Sequence, residues 1–267
     1  MDLAYDGREL HGFADQPGHP TVAGLLRSSL ATVLRLAEPP LLTVAGRTDA
    51  GVHALGQVCH LDLPVGLLDD PDGVTRRLNG LLAGRVVVRA LTPVDDDFHA
   101  RFSAIWRSYR YLVVASEHPA LALTRDVAWV VRGPLDGEAM NEGFAAVLGE
   151  HDFRAFCKRP PHSTPDDPLR RHLYQARWRA IEDTAVLTAA GDQLWRCDIT
   201  ANAFCHNMVR SLVATAVAVG QGRLAPGVFS ERLESHVRDH LPALAPASGL
   251  TLVKVGYPGD LPPGVGV

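Results

Sequence analysis

Between Phe98 and Ala115 the chain carries Arg101, Phe102, Trp106, Tyr109, Tyr111, Leu112, Val113 and Val114. Aromatic and β-branched residues at this density favour a long strand. That strand links two series of alternating shorter strands and helices. Ahead of it, residues 2 to 6 read as a strand ending at the turn Asp6-Gly7. Residues 21 to 36 place Val22, Leu25, Leu26, Ser29, Val33 and Leu36 at helical spacing, with Thr21 as N-cap. Val44 ends a further strand. Gln57 to Leu63 alternates Val58, His60 and Asp62 against Cys59, Leu61 and Leu63, a strand with one apolar face. Pro64 to Gly73 is rich in turn residues, and a helix over 74 to 83 and a strand over 85 to 91 follow.

Beyond the long strand, the pattern predicts a strand at 126 to 131, a helix at 136 to 148 and a turn at 151 to 156. A Pro-rich loop at 160 to 168 comes next, then strands at 171 to 181, 184 to 190 and 193 to 200. Helices over 204 to 219 and 226 to 238 and a closing strand at 250 to 256 complete the chain. Antiparallel strands with helices packed on them define an α+β fold. No repeat of about 20 to 50 residues is visible.

Disorder is excluded by a chain of 267 residues that is 46% hydrophobic and 21% charged. No apolar run approaches the roughly 18 to 20 residues needed to cross a bilayer, and MDLAYDG lacks the basic and apolar regions of a signal peptide, so a cytoplasmic protein is expected. The four cysteines, Cys59, Cys157, Cys197 and Cys205, form no CxxC pair and read as ordinary thiols, without a metal site. A net charge of −4 is not that of a whole-chain nucleic-acid binder, so any basic patch is local. It would be built from arginine, because among the 26 basic residues only Lys158 and Lys254 are lysine.

Three constellations can carry chemistry. In AGRTDAGVHA, residues 45 to 54, Gly46 and Gly51 permit a sharp turn and close approach of a ligand, with Asp49 accessible at a strand's end beside Arg47. Thr48-Asp49-Ala50-Gly51 is also a good turn sequence, and taken alone it favours the turn. In Arg107-Ser108-Tyr109-Arg110-Tyr111, strand alternation puts Arg107, Tyr109 and Tyr111 on one face. Such a face suits base stacking and phosphate contact as well as it suits packed tyrosines. In FCHNMVR, His206 and Arg210 share a helical face, and a guanidinium among apolar neighbours needs a carboxylate partner if buried. Asp49 is the candidate partner.

The segments AGRTDAGVHALGQVCHL, DDFHARFSAIWRSYRYLV, ANAFCHNMVRSLV and GLTLVKVGYP resemble, in order, the motifs of the tRNA pseudouridine synthase A (TruA) family. YDG at Tyr5 to Gly7 and GEHDFRAFCK at Gly149 to Lys158 match as well, so the agreement is colinear across nearly the whole chain. The resemblance implies a pseudouridine synthase fold: a mixed, mostly antiparallel sheet from two related α+β halves, with helices packed on it and a central active-site cleft. Residues 1 to 103 would be the half carrying the aspartate loop, and 104 to 267 the half carrying the tyrosine and arginine motifs.

It also implies a cofactor-free isomerisation of uridine to pseudouridine, in uridines 38 to 40 of the tRNA anticodon stem-loop, by a homodimer. Asp49 inherits the catalytic carboxylate, whether it attacks C1′, attacks C6 or removes the C2′ proton. Tyr109 inherits the tyrosine against the target base, and Arg210 the arginine paired with the carboxylate. Arg47 supports the site, Leu252 supplies an apolar wall of the uracil pocket, and His53, Arg101, Arg107 and His206 contact RNA or support the site. His60 reads equally well as a satisfied strand histidine. Two features depart from the family pattern: Gly12-Phe13 replaces Gly-Trp, and Asp166 and Asp167 stand where small, hydroxyl and basic residues are usual. They keep open a relative acting on free uridine or a uridine nucleotide. A non-catalytic RNA-binding module and a hydrolytic nucleosidase are further alternatives.

Overall fold

A computed structural model describes residues 1–119, 121–159, 164, 167–182, 187–189, 191–239 and 241–263. The chain forms two compact units, Met1–Ile105 with Thr251–Asp260, and Trp106–Leu250 with Leu261–Val267. Strand pairing is mixed and mostly antiparallel, and the helices make the fold α+β.

In the first unit, β1 (Asp2–Tyr5) pairs antiparallel with both β3 (His53–His60) and β4 (Val86–Ala90), and the short β2 (Thr43–Val44) pairs with β3. The closing strand, β10 (Leu250–Gly256), runs parallel to β3, with Thr251 opposite His53 and Leu252 opposite Ala54. Helix α1 (Val22–Leu34) starts where Thr21 accepts the Gly24 N–H at 3.1 Å, as its sequence predicts, and buries Val22, Leu26 and Leu30. Helix α2 (Pro71–Leu82) starts earlier than the hydrophobic spacing implies. Asp70 caps it through the Gly73 N–H at 2.8 Å and Pro71 fills the first turn, so the end of the turn-rich stretch is helix. The α2 residue Asn79 bonds both the C=O and the N–H of Val88, at 2.9 and 2.8 Å, tying the helix to β4.

The second unit is built on β5 (Trp106–Ser116), β9 (Gln193–Ala201), β8 (Arg170–Ile181) and β7 (Gly149–Asp152), adjacent in that order and antiparallel, with β6 (Trp129–Arg132) parallel on β5. On one sheet face Tyr111, Cys197 and Trp178 are buried. Helices α3 (Gly137–Ala145), α4 (Met208–Gly220) and α5 (Val228–Ser235) complete the unit. Nearly all of α4 is buried, which explains its lack of a polar face. Phe144 of α3 fixes the packing: its ring lies 6.0 Å from Trp178 and 5.4 Å from Phe229 of α5.

Five expectations need correction. The long strand is shorter than predicted and begins at Trp106, because residues 98 to 105 fold into a turn closed by Ser103 N–H on the His99 carbonyl at 2.8 Å. The strand predicted at 57 to 63 is β3 and ends at His60. The turn predicted at 151 to 156 holds the end of β7 and a 3-10 turn at Arg154–Phe156; the polar β7 is held by backbone pairing to β8 rather than by an apolar alternation. Cys157 and Cys205, predicted as thiols, form a disulfide with Cα atoms 5.7 Å apart, within the usual range; a separation of 48 residues hid the pairing. Cys59 and Cys197 are buried thiols, as expected. Of the strand predicted at 184 to 190, residues 187 to 189 are not strand and the rest lie outside the described residues, as does most of the loop at 160 to 168.

Replacing the fully buried Phe144 by Ala should lower unfolding stability by about 3 to 5 kcal/mol, and by Leu markedly less, measured by urea titration. Equal losses would show that the contacts of the ring with Trp178 and Phe229 do not organise this unit.

Candidate active site

The turn that carries Asp49 is built by its neighbours. Thr48 is buried, and its hydroxyl is hydrogen-bonded at 2.8 Å to the Tyr5 hydroxyl of β1. Gln57 of β3, fully buried, donates its side-chain amide to Tyr5 Oη at 3.1 Å and to the Gly46 carbonyl at 2.8 Å. Burial pushes the Tyr5 phenol up to about 12, so it stays protonated as a permanent hydrogen-bonding group. The backbone is fixed as well: Phe13 N–H donates to Thr48 O, Gly51 N–H to Leu10 O and Val52 N–H to Asp49 O, each at 3.1 to 3.2 Å. Gly51 has φ +79 and Gly12, packed on the same turn, φ +84; at Gly12 a Cβ would stand 2.6 Å from Thr48 O. Gly46 has neither feature: a Cβ there meets nothing within 4 Å, so its predicted role in a tight turn is not required by the backbone.

Asp49 is half-buried on this mount and Arg47 is exposed beside it. His53 is mostly buried; its Nδ1 accepts the Gly7 N–H at 3.1 Å and lies 3.3 Å from Asp6 Oδ1. That places its ring in support of the turn's flank. Leu252 is fully buried in β10. Phe13, the departure from the usual Trp, is buried with its ring 6.4 Å from Tyr5, so the change falls in the packing behind the turn.

Arg101 is exposed on the turn 98 to 105, whose backbone is tied to two imidazoles. Ala100 N–H donates to His60 Nδ1 at 3.0 Å, and Arg101 and Phe102 N–H both donate to His99 Nδ1 at 3.2 Å. His60 is therefore the satisfied strand histidine. Burial, then the neighbouring His99, holds its pKa below the ordinary value.

In the second unit, β5 and the start of α4 carry the other residues that the sequence singles out. Tyr109 is half-buried with its ring edge-on to Phe204 at 5.1 Å, and Arg107 on the same strand face donates to Asn202 O at 2.9 Å. Arg210 is half-buried and donates Nε–H to Ala245 O at 2.7 Å; Tyr111, within its electrostatic reach, donates to the adjacent Pro246 O at 2.7 Å. Exposed His206 sits just before α4, beside the disulfide, and its carbonyl accepts the Lys158 N–H at 2.8 Å. On the opposite face of β5, Arg110 is not a disengaged cation: with Arg179 and Arg196 it holds Asp198 at 2.7 to 3.1 Å. Burial raises the Asp198 pKa, but these guanidinium hydrogen bonds and charges outweigh it and keep the carboxyl below its ordinary value.

Comparisons with known proteins decide the family. A family model described as tRNA pseudouridine synthase matches residues 144–258. The chain is 43% identical over 262 residues to the tRNA pseudouridine synthase A of Streptomyces griseus, covering 97% of this chain and 88% of the relative. The chain belongs to the tRNA pseudouridine synthase A family. The enzyme of that name from Frankia casuarinae is 44% identical over 264 residues, with 97% and 89% covered, and that from Jannaschia sp. 38% over 259 residues, with 97% and 94%. Membership makes this chain a pseudouridine synthase, an isomerase. Tyr5, Thr48 and Gln57 all lie in segments that resemble the family's motifs, Thr48 read as a turn residue, yet sequence reasoning assigned none of the three a part in positioning Asp49. A glutamine in a strand with an apolar face was the available signal, since buried polar groups need partners.

Gln57→Leu should cost about 1 to 3 kcal/mol by leaving Tyr5 and the Gly46 carbonyl short of a donor. It should also slow single-turnover isomerisation by about tenfold or more with substrate affinity retained, because catalytic geometry tolerates little displacement. An unchanged rate would show that the turn does not need this network. Stability should fall as pH drops below about 6.5: the unfolded chain takes a proton on His60 there while the folded chain resists it. Urea midpoints at pH 7.5 and 5.5 should differ less in His60→Gln than in wild type.

Proposed function

We propose that this enzyme isomerises uridines 38 to 40 in the tRNA anticodon stem-loop, acting as a cytoplasmic homodimer. The observation that carries the reading is agreement at 43% and 44% identity over 97% of the chain with relatives named tRNA pseudouridine synthase A. The placement of Asp49 on a turn fixed by Tyr5, Thr48 and Gln57 supports it. No helix among the described residues is long and apolar enough to cross a membrane, which is compatible with the proposed location.

In the proposed mechanism the half holding residues 1 to 103 presents Asp49 and the half holding 104 to 267 presents Tyr109 and Arg210. The N1 to C1′ bond of uridine breaks, uracil turns over, C5 bonds to C1′, the C5 proton leaves to solvent and N1 gains a proton. Asp49 is the ionised carboxylate that initiates the exchange, Arg210 pairs with it, and Tyr109 packs against the uracil and assists proton movement at C5. Arg47 and Arg107 neutralise phosphates, with Arg101 and His206 at further RNA contacts and His53 behind the turn. Leu252 forms an apolar wall for uracil. A stem uridine reaches such a carboxylate only when extruded from its stack.

Asp167 accepts the backbone N–H and the hydroxyl of Thr164, both at 2.8 Å; these bonds hold its pKa below the ordinary value, so it stays charged and a bound RNA would have to pass clear of it. Asp166 lies outside the described residues.

The test offers wild-type enzyme 5-tritiated tRNA transcript, UMP and uridine in parallel. Tritium release from tRNA alone is expected. Release from UMP or uridine but not from tRNA would replace the tRNA substrate with a free nucleotide, and free uracil as product would mean a nucleosidase.

A further inference from the structure

Phe102 is not used by the mechanism, yet 76% of it is exposed on a turn that is otherwise tightly fixed. Ala100, two residues before it, is fully buried; its carbonyl accepts the Tyr257 hydroxyl at 2.8 Å and its N–H is held by His60. The Phe102 N–H itself is held by His99 Nδ1, and His99 N–H donates to the Ser103 hydroxyl at 3.0 Å. The His99 ring stacks on Phe102 with centroids 4.4 Å apart at 29°, and behind it His60 lies 5.1 Å from His99. The Arg101 guanidinium stands 5.5 Å from the centroid of the Phe102 ring.

The part of the ring left in water gains nothing for folding, because apolar surface is stabilising only where it is buried. What the arrangement does provide is a pre-ordered π surface with a planar cation beside it. A nucleobase fits it, stacking on the ring while its negatively charged backbone meets the guanidinium.

We infer that Phe102, backed by His99 and flanked by Arg101, is a stacking platform for an unpaired base of the RNA substrate, separate from the uridine being isomerised. The inference rests on the tRNA reading above. Phe102 holds RNA and does not touch the reacting atoms, so its loss weakens affinity and spares the chemical step.

The test measures tRNA binding by fluorescence anisotropy and single-turnover tritium release at saturating enzyme, for wild type, Phe102→Leu and Phe102→Tyr. Loss of one stacked base corresponds to about fivefold to 100-fold in affinity. Phe102→Leu should weaken tRNA binding at least about fivefold with the saturated rate within about twofold of wild type, and Phe102→Tyr should restore affinity. Urea midpoints should be equal in all three, since the ring is exposed. Unchanged affinity in Phe102→Leu overturns the inference. So does a change of sedimentation in Phe102→Leu, which would assign the ring to a contact between copies of this chain. Binding is measured independently of turnover, so a wild-type enzyme that binds tRNA without releasing tritium refutes the substrate reading alone. Failure of the wild-type enzyme to bind tRNA refutes both.

Discussion

The three-way hydrogen bonding among Tyr5, Thr48 and Gln57 is the constraint on which the account of this enzyme depends. It sits between β1 and β3, where water is excluded, and a buried polar group without partners would cost about 1 to 3 kcal/mol. The network therefore has essentially one satisfied arrangement, and that arrangement fixes Gly46 and Thr48, on either side of Arg47, with Asp49 next in sequence. Rigid support behind Asp49 suits the catalytic role proposed for it, since a group that acts electrostatically must be in position before charge develops.

The second unit applies the same logic with different groups. Strand alternation gives β5 two chemically distinct faces. One carries Arg107 and Tyr109, with Arg107 positioned by a backbone carbonyl; the other carries Arg110 in the Asp198 cluster. Three guanidinium groups on one carboxylate leave that cluster with positive charge, but they also immobilise it. A count of arginines in the sequence therefore overstates how many are at hand for RNA.

The sequence made much of this legible. Hydrophobic period and capping residues located α1 with Thr21 as N-cap, and the motif series identified the family before any geometry was known. What escaped were features without periodicity. β7 is a strand of polar residues, the start of α2 depends on Asp70 and Pro71 rather than on apolar spacing, and the Cys157–Cys205 pair joins distant loops. Residues 98 to 105 look like strand because they are aromatic, but their backbone hydrogen bonds end on histidine rings and on each other. At the candidate site, Asp49, Tyr109 and Arg210 were recognisable by motif, whereas the positioning parts of Tyr5 and Gln57 were not, since these are fixed only by partners about 50 positions away.

The central claim is that this network exists to hold Asp49 for chemistry. It is tested most directly by single-turnover isomerisation of a tRNA transcript with Asp49→Asn, an isosteric change that keeps the turn and removes the charge. The account predicts that tRNA affinity stays within a few-fold of wild type while the rate falls by on the order of a thousandfold or more, the scale expected on losing an essential catalytic group. A rate within about tenfold of wild type would contradict it, and would return Asp49 to the role of an ordinary turn residue.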